Sequence, residues 1–183
     1  MILSKEMIDA SINSKNAAQA AHEKAMWEAI ESMVDKVNSL APIIGDIMDT
    51  FHYLKARDKS MSDQLWSVIC RGGEPLGLDF CNAILDQPDG KCGVRPHYSR
   101  RGCFNSIYVT KIGVYFGLSY DDLHPLSEMK DILQPKDYDY MLNAMCLLVE
   151  AVPAYRDIVE QKLKTILEGT KYPKSALGKV QPE

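Results

Sequence analysis

The sequence lacks any apolar run of the roughly 18 or more residues that a membrane-spanning helix requires. Its first residues also lack the basic and then apolar segments of a secretory signal peptide. We therefore expect a cytoplasmic protein that has no membrane partner.

An excess of positive charge is also missing. Lys and Arg number 21 against 25 Asp and Glu, so the formal net charge is −4. This balance excludes a protein whose whole surface is built for nucleic acid, because such a surface needs net positive charge. A local basic patch remains compatible with it.

Short catalytic motifs and close cysteine pairs are absent as well. We find no phosphate-binding loop, no G-x-S-x-G, no H-E-x-x-H and no dinucleotide fingerprint, so we expect a protein that is not an enzyme and holds no cofactor. Cys81, Cys92, His97 and Cys103 could form a tetrahedral zinc site. Structural zinc sites usually take their ligands in close pairs, however, so we expect no metal and ordinary thiols.

The N-terminal third of the chain has the periodicity of a helix. Residues 1–57 are predicted to form a helical arm, which Pro42 should kink or break. A heptad-like seam of apolar residues runs along it: Met26, Ile30, Met33, Val37, Leu40, Ile44, Ile47, Phe51 and Leu54. Such a seam either pairs with a second copy of the chain, which makes a homodimer, or packs within one chain.

The rest of the chain predicts a compact helical body over residues 58–169 and a disordered tail over residues 170–183. Residues 135–152 carry the pattern of a helix with Pro135 in its first turn, which Pro153 should kink or divide, and Gly169 should end the last helix. Residues 79–85 and 104–110 are alternatively predicted to pair as a small β-hairpin. The expected fold class is mainly α.

Residues 109–126 resemble a helix-turn-helix. The pattern has two short apolar segments around the turn Gly117-Leu118-Ser119, with Gly113 where two crossing helices approach closely. In that family the second helix enters the DNA major groove, which would place Tyr120 near the bases. Asp121 and Asp122 oppose this role, because carboxylates are repelled by phosphates.

The window of residues 86–105, just before this motif, is the most basic part of the chain. Together with the motif it supplies the residues that we predict to contact nucleic acid: Lys91, Arg95, His97, Arg100, Arg101, Lys111, Ser119 and Tyr120. Arg and Lys bind phosphates and so fix a protein on nucleic acid. The sequence therefore predicts a dimeric, non-enzymatic regulatory protein that binds nucleic acid.

Two other functions compete with this one. The short chain, the lack of enzyme motifs and the helix-turn-helix-like pattern resemble small accessory proteins of phages and mobile elements. Because that group includes anti-CRISPR inhibitors that bind Cas nucleases, the resemblance implies a protein-directed inhibitor or adaptor as the alternative. His97 with its neighbouring arginines could also support phosphodiester cleavage.

Overall fold

The computed structural model describes residues 4–81, 93–97, 106–119 and 122–169. Within them the helices are α1 (Lys5–Asn38), α2 (Ala41–Lys55), α3 (Lys59–Arg71), α4 (Met129–Ile132) and α5 (Tyr138–Gly169). The strands are β1 (Leu78–Cys81), β2 (Gly93–Pro96), β3 (Ser106–Thr110), β4 (Gly113–Ser119) and β5 (Asp122–Pro125). The prediction of a mainly α-helical fold is confirmed. No described helix is long and apolar enough to cross a membrane.

The N-terminal helix is interrupted near the predicted position. The side chain of Ser4 caps α1 by accepting a hydrogen bond from the Met7 N–H at 3.3 Å. The helix stops after Asn38, and α2 begins at Ala41 with Pro42 in its first turn. A proline is tolerated there because the first turn of a helix leaves its N–H groups without partners.

The apolar seam is used within the chain. Its buried members are Ile30, Val37, Leu40, Ile44, Ile47 and Phe51, all part of one hydrophobic core. The rings of Trp27 and Tyr138 lie 5.7 Å apart, and Ile47 and Val159 line one surface groove, so α1 and α2 follow α5 in the same direction. Most of the seam is therefore covered within one chain, and a homodimer stays a prediction. Residues on both sides of position 57 belong to this core.

The strands form one antiparallel sheet in the order β1-β2-β3-β4-β5. The predicted pairing of residues 79–85 with 104–110 is wrong, because β2 lies between β1 and β3. Pro96 at the end of β2 and the shortness of that strand weakened its signal in the sequence.

The two helices predicted over residues 109–126 are also wrong. This segment holds the end of β3, then β4 and β5. Val114 and Phe116 are buried and alternate with the partly exposed Gly113 and Tyr115, which is the two-residue period of a strand. The segment therefore offers no helix that could enter a DNA groove.

The helices cover one face of the sheet. Phe80, Val94, Val109 and Val114 stand opposite one another in successive strand pairs, so they share that face. The rings of Phe51 on α2, Trp66 on α3 and Phe80 follow one another with centroid distances of 4.8 Å and 5.5 Å. These contacts fix β1 against the helices and turn the alternate residues of the strands to the other face.

Helix α5 packs along the core and contributes eight buried residues to it. It passes through Pro153 as one helix, so the division predicted there does not occur. Gly169, predicted to end it, is still helical and is the last described residue, so the end of the helix stays a prediction. Buried Tyr155 donates its hydroxyl proton to the carbonyl oxygen of Ile69 on α3 at 2.6 Å.

Candidate functional site

Polar and aromatic side chains occupy the sheet face that is turned away from the helices. We call this the outer face and define it by Asp79, Arg95, His97, Tyr108 and Tyr115. Asp79 pairs with Arg95 across β1 and β2, and Tyr108 pairs with Tyr115 across β3 and β4. Titratable groups from neighbouring strands are thereby brought together at β2.

The turn that leads into β1 positions the residues of the site. Gly77 has φ +70°, in the left-handed region that glycine adopts readily, and it turns the chain into β1. The N–H of Leu78 donates to the carbonyl of Gly73 at 2.9 Å, and that of His97 donates to the carbonyl of Gly77 at 2.8 Å. The second bond extends the ladder one position past β2 and holds the backbone of His97 beside Asp79.

Asp79 is the centre of the site. Its Oδ1 lies 2.7 Å from Nδ1 of His97, and its Oδ2 lies 4.0 Å from Nη2 of Arg95. A carboxylate can only accept, so it fixes the proton of the neutral imidazole on Nδ1 and leaves Nε2 as the acceptor. The His97 side chain is 68% exposed, whereas that of Asp79 is 30% exposed. The imidazole is therefore held in one orientation at the surface.

Arg95 lies on the other side of Asp79 and is less accessible. Its Cζ is 5.9 Å from the ring centroid of Tyr108, and its Nη1 is 3.5 Å from the hydroxyl oxygen of that residue. The guanidinium is 21% exposed between these two partners. A planar cation fixed in this way suits recognition of phosphate or carboxylate groups.

The structure brings together only part of the predicted contact set. Arg95 and His97 share the outer face, and Ser119 lies at the same end of the sheet as His97, two strands away. Lys111 follows β3 at the opposite end, about 13 Å from His97 along β2, and its Cβ faces Gly45 of α2. Lys91, Arg100, Arg101 and Tyr120 lie outside the described residues.

Three residues of the outer face, Asp79, Tyr108 and Tyr115, escaped the sequence analysis. Asp79 and Tyr108 carry no motif, and each lies within a segment whose partner strand was misassigned. The signal that could have found them is the alternation of apolar and polar residues in β1 and β2, which separates Asp79 and Arg95 from Leu78, Phe80 and Val94.

The zinc set of Cys81, Cys92, His97 and Cys103 depends on side chains outside the described residues. Among the residues that are described, no group of three or more His, Cys, Asp or Glu side chains could hold a metal ion. Cys70 and Cys146 are free thiols. Comparisons with family models, with curated proteins and with solved structures gave no significant match.

Proposed function

We propose that this protein binds nucleic acid at the outer face of the sheet, around strand β2. The observation that carries the proposal is the placement of Arg95 and His97 side by side on the outer face, where the His97 side chain is 68% exposed. The Arg95 guanidinium supplies N–H donors for phosphate oxygens, and the exposed neutral imidazole of His97 offers its Nε2 as an acceptor. We propose that the protein acts in the cytoplasm.

The sequence on either side of β2 carries further positive charge. Lys91 precedes β2 by two positions, and Arg100 and Arg101 follow His97 by three and four. Asp79 offsets part of the charge of Arg95, so these flanking cations would supply most of the attraction. Since the whole chain carries −4, binding would be local and strongly dependent on salt.

The variant with Arg100→Ala and Arg101→Ala tests this function. Loss of two cations should weaken the binding of a labelled nucleic acid about tenfold and reduce the slope of log K against log salt by about 1 to 2. Fluorescence anisotropy at several salt concentrations measures both quantities.

A matched control removes the same charge elsewhere. Lys15 and Lys136 are exposed on other parts of the molecule, so the variant with Lys15→Ala and Lys136→Ala should bind like the unaltered protein. Equal weakening of nucleic-acid binding in both variants would show that only the net charge of the protein matters. Absence of any binding by the unaltered protein at low salt would contradict the proposal.

A second candidate function, a protein-directed inhibitor or adaptor, is favoured by the beginning of α1. Every described residue from position 4 to 22 is exposed, including Met7, Ile8 and Ile12. A helical segment of this length is marginal by itself in water. Apolar side chains on such a segment are typical of a helix that docks on another protein, which for this class would be a bacterial defence nuclease of the Cas type.

Affinity capture after nuclease treatment separates the two functions. An adaptor should retain a protein partner when nucleic acid has been removed, and the change Ile8→Ser with Ile12→Ser should abolish that retention. Ile112→Ser is the control, since Ile112 is an equally exposed apolar residue at the turn between β3 and β4. A partner lost on nuclease treatment, or retained by the α1 variant, would speak against the adaptor.

A further inference from the structure

A second basic surface lies where α2 ends and α3 begins. We call it the α2–α3 corner and define it by the exposed residues His52, Tyr53, Lys55, Arg57 and Lys59. We propose that this corner binds an unpaired nucleotide of a single strand, with the base on the Tyr53 ring and the phosphates on the cations. The inference rests on the proposed nucleic-acid binding and adds a separate contact and a class of ligand.

Tyr53 and Arg57 form a stacked pair on the surface. The guanidinium carbon of Arg57 lies 3.7 Å from the centroid of the Tyr53 ring, over one face of it. The tyrosine is nevertheless 57% exposed, so a large part of the ring is still open. An exposed aromatic ring beside a cation is the combination on which unpaired bases stack, because every base offers a flat π face.

The cations of the corner are not neutralised by nearby carboxylates. No ion pair among the described residues involves Lys55, Arg57 or Lys59. Asp58, the one acidic residue from position 52 to 59, is occupied as the cap of α3, where its Oδ1 accepts from the Met61 N–H at 3.0 Å. Three cations against one engaged carboxylate leave the corner positive in an acidic protein.

The backbone holds these side chains in a defined arrangement. The N–H groups of Arg57 and Asp58 both donate to the carbonyl of Leu54, at 2.9 Å and 2.7 Å. The Lys55 ammonium lies 5.9 Å from the ring of Phe51, which packs into the core. The corner is therefore a tight turn between two packed helices, and its cations are presented without a long mobile loop.

The exposed Tyr53 ring favours one class of anionic partner over others. An acidic peptide would use the cations but has no π face to cover Tyr53, and a duplex hides the faces of its bases inside the stack. Asp49 and Asp63, about one helical turn outside the corner on α2 and α3, limit the positive region to a few phosphates. A short stretch of single strand satisfies both restrictions.

The test compares binding of labelled oligo-thymidine by the full chain and its variants. Lys55→Ala, Arg57→Ala and Lys59→Ala together should weaken binding at least tenfold and lower the salt slope by about 2. Tyr53→Ala should weaken binding about fivefold to tenfold, whereas Tyr53→Phe should bind like the unaltered protein because it keeps the ring.

Two controls isolate the corner. The variant with Lys15→Ala, Lys136→Ala and Lys162→Ala removes the same charge from exposed positions elsewhere and should bind normally. Lys55 also offsets the negative end of the α2 dipole, so the free energy of unfolding of each variant is measured alongside its binding. Weakened binding at unchanged stability supports the corner.

Each of the following results would overturn the inference: equal weakening by the control triple variant, equal weakening by Tyr53→Phe and Tyr53→Ala, or displacement of the oligonucleotide by polyglutamate as readily as by unlabelled oligonucleotide. A duplex bound as tightly as the single strand would do the same. Failure of the function proposed for β2 is separable: there the corner variants would weaken binding while Arg100→Ala with Arg101→Ala would leave it unchanged. If Arg100→Ala with Arg101→Ala weakened binding while the corner variants left it unchanged, only the inference about the corner would be wrong.

Discussion

Replacement of Tyr155 by alanine should lower the free energy of unfolding by about 4 kcal/mol, the largest change that we expect from a single substitution. Tyr155 is completely buried between α3 and α5, and its hydroxyl donates to the Ile69 carbonyl at 2.6 Å. Alanine would leave a cavity and an unpaired carbonyl. Urea unfolding followed by circular dichroism measures the loss, which should also lower Tm by about 10 °C.

Tyr155→Phe separates the ring from the hydroxyl and should cost only about 1 kcal/mol, the typical net contribution of one hydrogen bond. Burial, and then the neighbouring Cys70 thiol, raise the pKa of Tyr155 above its ordinary value of 10.0. The unfolded chain therefore loses this proton first as the pH rises. Stability should hold below about pH 10 and fall above it.

In Tyr155→Phe the free energy of unfolding should decrease less above about pH 10, because phenylalanine has no hydroxyl proton to release. Identical dependence of the unfolding free energy on pH in the two proteins would contradict the assignment. Loss of less than about 2 kcal/mol in Tyr155→Ala would show that the helices close over the cavity.

Gly93→Ala should be the second most damaging change, at about 3 kcal/mol. A Cβ at position 93 would lie 2.3 Å from the carbonyl oxygen of Val109 and 3.0 Å from Cγ2 of Thr110, so β2 and β3 would have to separate. Since β2 carries Arg95 and His97, the proposed binding at the outer face should weaken together with stability. Unfolding and anisotropy measurements on one preparation test both effects.

Gly45→Ala is the matched control for this change. There the new Cβ would meet Lys111 at 3.8 Å, an ordinary van der Waals distance, within the helix α2. Alanine favours a helix over glycine, so this variant should gain about 0.5 to 1 kcal/mol. If Gly93→Ala proved as stable as Gly45→Ala, the close approach of β2 to β3 would not matter for the fold.

The long helices could be predicted from the sequence because their signal is local. Nine apolar positions at alternating steps of four and three specify α1 and α2, and Pro42 marks the interruption between them. The same pattern could not show whether the seam meets a second chain or α5, since both partners bury the same stripe. The burial of six of the nine seam residues in the core of one chain shows that most of the stripe packs within that chain.

The sheet was harder to predict, because a strand depends on partners distant in sequence. In residues 109–126 the glycines at positions 113 and 117 fit a helical crossing as well as a strand, and the spacing of apolar residues was given more weight than their alternation. The candidate site was only partly predicted, for the same reason. Arg95 and His97 were found from their charge, but Asp79 joins them only through the register of β1 with β2.

The sequence by itself determined the helical class, the break near Pro42 and the basic character of the region around Arg95, because composition and periodicity act over a few residues. The tertiary structure alone decided that the apolar seam packs inside one chain, that residues 109–126 are strands, and that His97 is oriented by Asp79. Each of these depends on pairing between segments far apart in the chain, which a local pattern does not encode.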